Sequence, residues 1–196
     1  MKTRPYHHGD LRAALLGLAE DTLRDRGPGE LSLRELAREA GVSPAAPSRH
    51  FRTKQALLDA LAMAGFDRLT TVMAGALERA DDSFGQRLDV LTRTYVGFAM
   101  NNAALLELMF SRKHEPDAPP ELIESMHRVM TVATDLIEDG QRRGEVREGS
   151  VMLLAVPLAA TLQGITDLAL SGGFTDDQAE QGLAETIAFI LRGYAP

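Results

Sequence analysis

The sequence has no cysteine and no tryptophan. The first absence excludes disulfides, thiolate catalysis and cysteine-held zinc or iron–sulfur centres in any compartment. Aromatics make up only 5% of the chain, and β-branched residues are sparse beside Leu, Ala, Arg, Glu and Asp. Such a composition favours helix and excludes an all-β fold. Near the start, Met1 to Leu11 carries Lys2, Arg4, His7, His8 and Asp10 instead of an apolar run. It does not read as a secretory signal, and a cytoplasmic location is expected. Residues 150–166 run without a charge, but the stretch contains Pro157, Thr161, Gln163 and Gly164 and is closed by Asp167. It is short for a bilayer span, so a helix buried in a core or a subunit interface is expected, with no membrane partner.

Catalytic patterns are missing as well. There is no Gly-x-Ser-x-Gly, His-Glu-x-x-His, P-loop or Gly-x-Gly-x-x-Gly. Glu124-x-x-His127 matches one half of a carboxylate-bridged di-iron site, but the five histidines supply no second half, and two are required. His7 and His8 near Asp10 do not make a specific metal site. No enzyme activity, metal or cofactor is therefore expected.

What is present is 196 residues, 44% hydrophobic and 25% charged, enough for a real core in one ordinary domain or a small domain joined to a larger one. The net charge of −7 is unevenly spread: residues 1–54 sum to +3 and residues 55–196 to −10. A basic module on an acidic body concentrates phosphate affinity on one face. The expected boundary follows this split, with a head at 1–54, a body at 55–196, and the helix from 54 linking them.

Helical periodicity and capping signals run throughout. Asp10 can cap a helix with Leu11, Leu15, Leu18 and Leu23 inward, ending at Gly27-Pro28-Gly29. Ser32 with Glu35 has the form of a capping box for a second helix, which buries Leu33, Leu36, Ala37 and Ala40 and stops at Gly41. Ser43 can cap a third, with Pro44 at its first position, reaching Phe51. Thr53 can cap a long fourth, from Lys54 towards Ala80. Further helices are expected near 83–100, 103–111, 120–143, 150–171 and 176–193, the last capped by Thr175 with Gln178, and Ser111 to Pro120 forms an exposed loop. The predicted fold is all-α, with about nine helices. The last two are apolar over much of their circumference, which suits pairing between two subunits as a four-helix bundle.

Function concentrates in Leu33 to Phe51, LRELAREAGVSPAAPSRHF. Two helices crossing over a three-residue turn need a small residue at the contact, one that takes positive φ in the turn, and an apolar plug. Ala37, Gly41 and Val42 supply them, as in a helix-turn-helix, although the spacing alone fits two ordinary core helices equally well. The second helix offers Pro44, Ala45, Ala46, Ser48, Arg49 and His50, so one face must meet something polar. Small side chains allow close approach to base edges and thymine methyls. Arg49 is the one long donor able to fork onto guanine, and it fits a phosphate contact or a surface salt bridge equally well. His50 and Lys54, near the start of the next helix, suit a phosphate. The arm residues Lys2, Thr3 and Arg4 can follow the backbone or enter the minor groove. Ser32 and Arg34, at the start of the helix before the turn, complete the DNA-facing candidates.

Residues 6–66, from YHHGDLRAALLGLAEDTL through the stretch above to TKQALLDALAMAGF, resemble the DNA-binding domain of the TetR family of transcriptional regulators. The resemblance implies a homodimer with a three-helix DNA-binding head, a linking fourth helix, and a helical C-terminal domain for dimerisation and ligand binding. Most such proteins are repressors released from a double-stranded operator by a small molecule. Two positions depart from the family pattern. Ser48 stands where Tyr is usual, and Pro47 stands where many members have an aliphatic residue. Pro47 would remove the first intrahelical hydrogen bond and disfavour helical geometry at Ala46, predicting a short, irregular recognition helix.

In the C-terminal part, an apolar or amphipathic effector is expected against Tyr95, Phe98, Met109, Phe110, Met126 and Met130, with Gln163 and Asp167 orienting it. The same stripes also fit plain core, and the polar pair fits a dimer-interface hydrogen bond. A ligand-sequestering or protein-docking module with a degenerate head is the alternative function.

Overall fold

The computed structural model describes residues 11–80, 83–173 and 176–196. Among them there are eight α-helices, two 3-10 turns and no strand. The helices are α1 (Leu11–Arg26), α2 (Leu33–Glu39), α3 (Lys54–Leu77), α4 (Phe84–Asn101), α5 (Ala103–Arg112), α6 (Pro120–Arg142), α7 (Val151–Leu170) and α8 (Asp176–Tyr194). The fold is all-α as expected. The missing ninth helix is the recognition element, where a 3-10 turn at Pro47–Arg49 replaces an α-helix. The linking helix ends at Leu77, three residues before Ala80.

Local signals explain most boundaries. Gly27, at φ 80°, breaks the chain before a 3-10 turn at Pro28–Glu30. Helix α2 closes with Gly41 at φ 69°. There Val42 N–H donates to Ala37 C=O at 3.0 Å and Gly41 N–H to Arg38 C=O at 3.2 Å. Only glycine adopts this left-handed position cheaply, and the paired bonds satisfy the last carbonyls of the helix. Thr53 caps α3 through Ala56 N–H donating to its Oγ1 at 3.0 Å. Ser32 takes the extended N-cap conformation, but its side chain makes no cap bond. The Ser32–Glu35 box is therefore not closed. Ser43 caps no helix. Asp10 and Thr175 lie outside the described residues.

The chain divides into two compact units. The first runs to Gly65 and takes in Ala104–Ile123. Leu15, Ala19, Leu23, Leu36, Ala37, Phe51, Leu57 and Leu61 are buried in it. Gly65 lets α5 come close to α3, since a Cβ there would stand 2.6 Å from Met109 Sδ. Arg112, at the end of α5, reaches back to Asp59 Oδ1 through Nη2 at 2.8 Å and Nε at 2.9 Å.

The second unit is Phe66–Ala103 with Glu124–Pro196. Phe84 packs on Tyr194, and Arg93 pairs with Glu180 at 2.7 Å, so α4 and α8 run antiparallel. Ile165 packs with Leu183 and Ile187, and the Tyr194 hydroxyl donates to the Leu154 carbonyl. Helix α7 is therefore also antiparallel to α8, and α4 and α7 run parallel.

Candidate nucleic-acid interface

Beyond Gly41 the backbone makes one irregular turn. Ala46 N–H donates to Ser43 C=O at 2.9 Å, Arg49 N–H to Ala46 C=O at 3.3 Å, and His50 N–H to Pro47 C=O at 2.9 Å. The short, irregular element expected from Pro47 is present, but the cause differs in part. Ala46 keeps helical dihedrals, φ −65° and ψ −43°, so steric pressure from Pro47 does not displace it. What Pro47 removes is an N–H, and the turn tightens around that missing donor.

The tightening sorts the side chains. Pro47 and Phe51 are buried, anchoring the segment to α1 and α2, while Ser43, Pro44, Ala45, Ser48, Arg49 and His50 are exposed and Ala46 is half-covered. Phe51 carries the Arg12 guanidinium 5.5 Å from its ring centroid, with the His50 ring at 6.5 Å. Ser48 spends its hydroxyl proton locally, donating to Ala45 C=O at 2.7 Å, which leaves its lone pairs as acceptors.

The cations divide in the same way. Arg24 is held by Asp21 and Asp25, and Arg26 lies beside Glu35 and Glu39. Arg34, Arg49 and Arg52 have no carboxylate partner among the described residues. Arg34 and Arg38, four residues apart on one face of α2, line an open groove with Glu35, Val42 and Pro44. Arg12, Arg38 and Arg52 lie beside these residues without having been singled out from the sequence, and Arg38 Nη2 stands 3.9 Å from Glu39 Oε1. For Arg38 the i, i+4 spacing from Arg34 was the available signal. Lys54 sits at the first residue of α3 as expected, and its Nζ donates to Gly29 C=O at 2.7 Å, which fixes its direction and leaves two donors for a phosphate. Ser32 is half-buried at the start of α2. Lys2, Thr3 and Arg4 lie outside the described residues.

The ligand candidates are distributed over both units. Met109 and Phe110 belong to the first unit, with Met109 fully buried. Tyr95, Phe98, Met126, Met130, Gln163 and Asp167 belong to the second. Tyr95 Oη donates to Gln163 Oε1 at 3.2 Å, and burial pushes the phenol's pKa up to about 12. Asp167 is exposed, because the residue four positions beyond Gln163 has rotated off the packed face of α7. The expected Gln163–Asp167 pair therefore does not converge.

A small-residue turn with a glycine at positive φ, a short element turned outward and arginines free of carboxylates define a helix-turn-helix DNA-binding head. Residues 15–61 match the family model described as bacterial regulatory proteins, tetR family, and residues 88–191 match that of the tetracyclin repressor-like C-terminal domain. The chain belongs to the TetR family of transcriptional regulators. A Rhodococcus sp. RHA1 protein of unknown function is 41% identical, with TM-score 0.92 over 99% of this chain and 100% of that one. The TetR family transcriptional regulator PfmR from Thermus thermophilus shares the fold, with TM-score 0.68 and 22% identity over 91% of this chain and 97% of that one. The fatty acid degradation regulator FadR from Bacillus halodurans does so with TM-score 0.75 and 15% identity over 97% of both. No curated protein matches.

Proposed function

We propose that this regulator is a cytoplasmic repressor that binds a palindromic operator as a homodimer and is released by a small apolar or amphipathic effector. The observation that carries the reading is the exposure of Ser48, Arg49 and His50 beside Arg34 and Arg52, which have no carboxylate partner among the described residues. Arg49 supplies the fork for a guanine edge, and Ala45 and Pro44 supply apolar contacts for thymine methyls. Arg34, Arg38, Arg52, Lys54 and the arm at Lys2–Arg4 supply phosphate contacts.

Dimerisation is assigned to α7 and α8. Leu153 is 73% exposed, Phe189 67% and Met152 61%, with Val156 and Leu168 also open. An exposed apolar face on two helices supports burial against a second copy, as in a four-helix bundle. Two recognition elements on one duplex face must lie about 34–36 Å apart, or a multiple of that. Helix α3 contributes residues to both compact units, which supports its role as the lever. An effector held by Tyr95, Phe98, Met126, Met130 and Gln163 would tilt α3 and change the spacing.

The test is a mobility-shift titration with DNA from upstream of the protein's own coding region. A specific complex is expected, weakened by Arg49→Ala, with log K falling against log salt by several units for a dimer making roughly four phosphate contacts per subunit. No complex at low salt, or an affinity indifferent to salt, refutes the reading. The first of these outcomes would favour a sequestering or docking module, which the internal bonding of Ser48 also suits.

A further inference from the structure

In an α-helix the Ala45 carbonyl would accept from Arg49 N–H, four residues further on. Here the turn at Pro47 sends Arg49 N–H to Ala46 C=O instead, at 3.3 Å, and among the described residues no backbone N–H reaches Ala45 C=O. A side chain takes the vacant place, since the Ser48 hydroxyl donates to that carbonyl at 2.7 Å. A carbonyl has no proton to give, so the direction of this bond is fixed. A serine hydroxyl holds one proton and two lone pairs, and with the proton committed to Ala45 the outward side of Ser48 is an acceptor only.

Contact with a duplex strengthens the commitment. Ser48 is exposed, and so are Pro44, Ala45 and Arg49 beside it, so solvent can serve the Ala45 carbonyl in the free protein. Once water leaves an interface, a carbonyl that lost Ser48 would be buried without a partner, which costs more than one hydrogen bond returns. Phosphate oxygens are themselves acceptors, so a hydroxyl in this state has nothing to offer the DNA backbone. In the major groove, adenine N6 and cytosine N4 present an amino proton, whereas guanine O6 and thymine O4 present lone pairs. A free serine turns its proton to suit either kind of edge. Ser48 is restricted to the first.

We propose that Ser48 is a specificity-determining residue, accepting from the exocyclic amine of an adenine or cytosine and rejecting guanine and thymine at that position of each half-site. This deepens the operator-binding reading and rests on it. Arg49 only donates and Ser48 only accepts, so the two neighbouring side chains ask for opposite edges, the lone pairs of a guanine and the amine of a second base. The small, exposed Pro44 and Ala45 let the backbone come close enough for so short a side chain to reach a base.

The test is selection of preferred sites from a randomised duplex library by the full-length protein and by its Ser48→Ala, Ser48→Thr and Arg49→Ala variants. The wild type is expected to enrich sites with one position per half-site restricted to adenine or cytosine on one strand. Ser48→Ala should lose that restriction and keep the guanine position that Arg49→Ala loses, which also shows its head to be folded. Ser48→Thr, able to make the same bond to Ala45, should keep both. On the selected site, the base is then replaced by an analogue without the major-groove amine, 2-aminopurine for adenine or 2-pyrimidinone for cytosine. Mobility shifts should show wild-type binding weakened about tenfold per half-site and Ser48→Ala unaffected. A guanine or thymine at the Ser48-dependent position, an adenine-or-cytosine position that survives Ser48→Ala, a Ser48→Ala loss spread evenly over all sequences, or a wild-type complex indifferent to the analogue overturns the proposal and leaves the regulator reading intact. A library from which none of the four proteins enriches a site overturns both.

Discussion

Replacing Arg112 with methionine tests what holds α5 to the start of α3. The side chains of Arg112 and Asp59 are only 8% and 12% exposed. Nε and Nη2 both donate to Asp59 Oδ1, and Nη2 also reaches Asp117 at 3.3 Å. The Gln55 amide, oriented by this network, accepts from the same guanidinium. Burial works to lower the Arg112 pKa, but hydrogen bonding and charge from Asp59 and Asp117 outweigh it, and the net direction is upward. Methionine keeps much of the stem and removes the fork, leaving the Asp59 carboxylate buried without its cation. Breaking such a pair from one side costs about 3–5 kcal/mol, a large part of the ~5–15 kcal/mol that a domain has. For a chain of this length the Tm should fall by roughly 6–20 °C. The pair as a whole is worth far less, because its attraction is offset by desolvation. Arg112→Met combined with Asp59→Leu should therefore recover most of the loss. Urea unfolding followed by circular dichroism at 222 nm, on wild type, both single variants and the double, yields the coupling energy directly. A single variant within about 1 kcal/mol of wild type, or a double variant as unstable as Arg112→Met alone, would refute the reasoning.

Tyr95 makes stability depend on alkaline pH. Its pKa lies at about 12 in the folded chain, raised by burial from the ordinary 10.0, so the folded state holds the proton more tightly. The associated stability is complete below pH 10 and is lost as pH rises from 10 to 12, by about 2–3 kcal/mol. Chemical denaturation across that window should show a fall that Tyr95→Phe removes, and equal slopes in both proteins would contradict it. Gly140→Ala places a Cβ 2.5 Å from Val146 Cγ2 and 2.8 Å from Phe84 Cδ2. Despite alanine's better helix propensity, this overpacking should cost about 1–3 kcal/mol, and an unchanged or higher Tm would show that the neighbours give way. Leu153→Glu puts a charge on the open face of α7 and should shift the protein from dimer to monomer in light scattering, with a concentration-dependent loss of operator binding. A dimer that persists at micromolar concentration would move the interface elsewhere.

Much of the head was legible from residues alone, because its determinants are local. Gly41 ends α2 by its own φ, Thr53 caps α3 through a bond three residues long, and Pro47 shortens the recognition element by lacking a donor. Each effect spans a few residues and depends on backbone chemistry that the side-chain identity dictates. Even here Ser32 shows the limit, since a capping-box pattern does not oblige the hydroxyl to turn towards its amide.

The amino-acid order by itself determined the helical class, most of the places where helices begin and end, the basic excess of residues 1–54, and the polar, exposed Ser48, Arg49 and His50, since helix periodicity and capping act within about one turn. Only the tertiary structure decided that Met109 packs beside Gly65 within the first unit, that Gln163 meets Tyr95 while Asp167 faces solvent, that Arg112 clasps Asp59, and that Thr92 and Thr166 keep their hydroxyls unpaired. Those outcomes join residues some 50–70 positions apart, and the rotation and level of one helix against another follow from how whole side chains interlock, for which no single stretch of sequence carries the information.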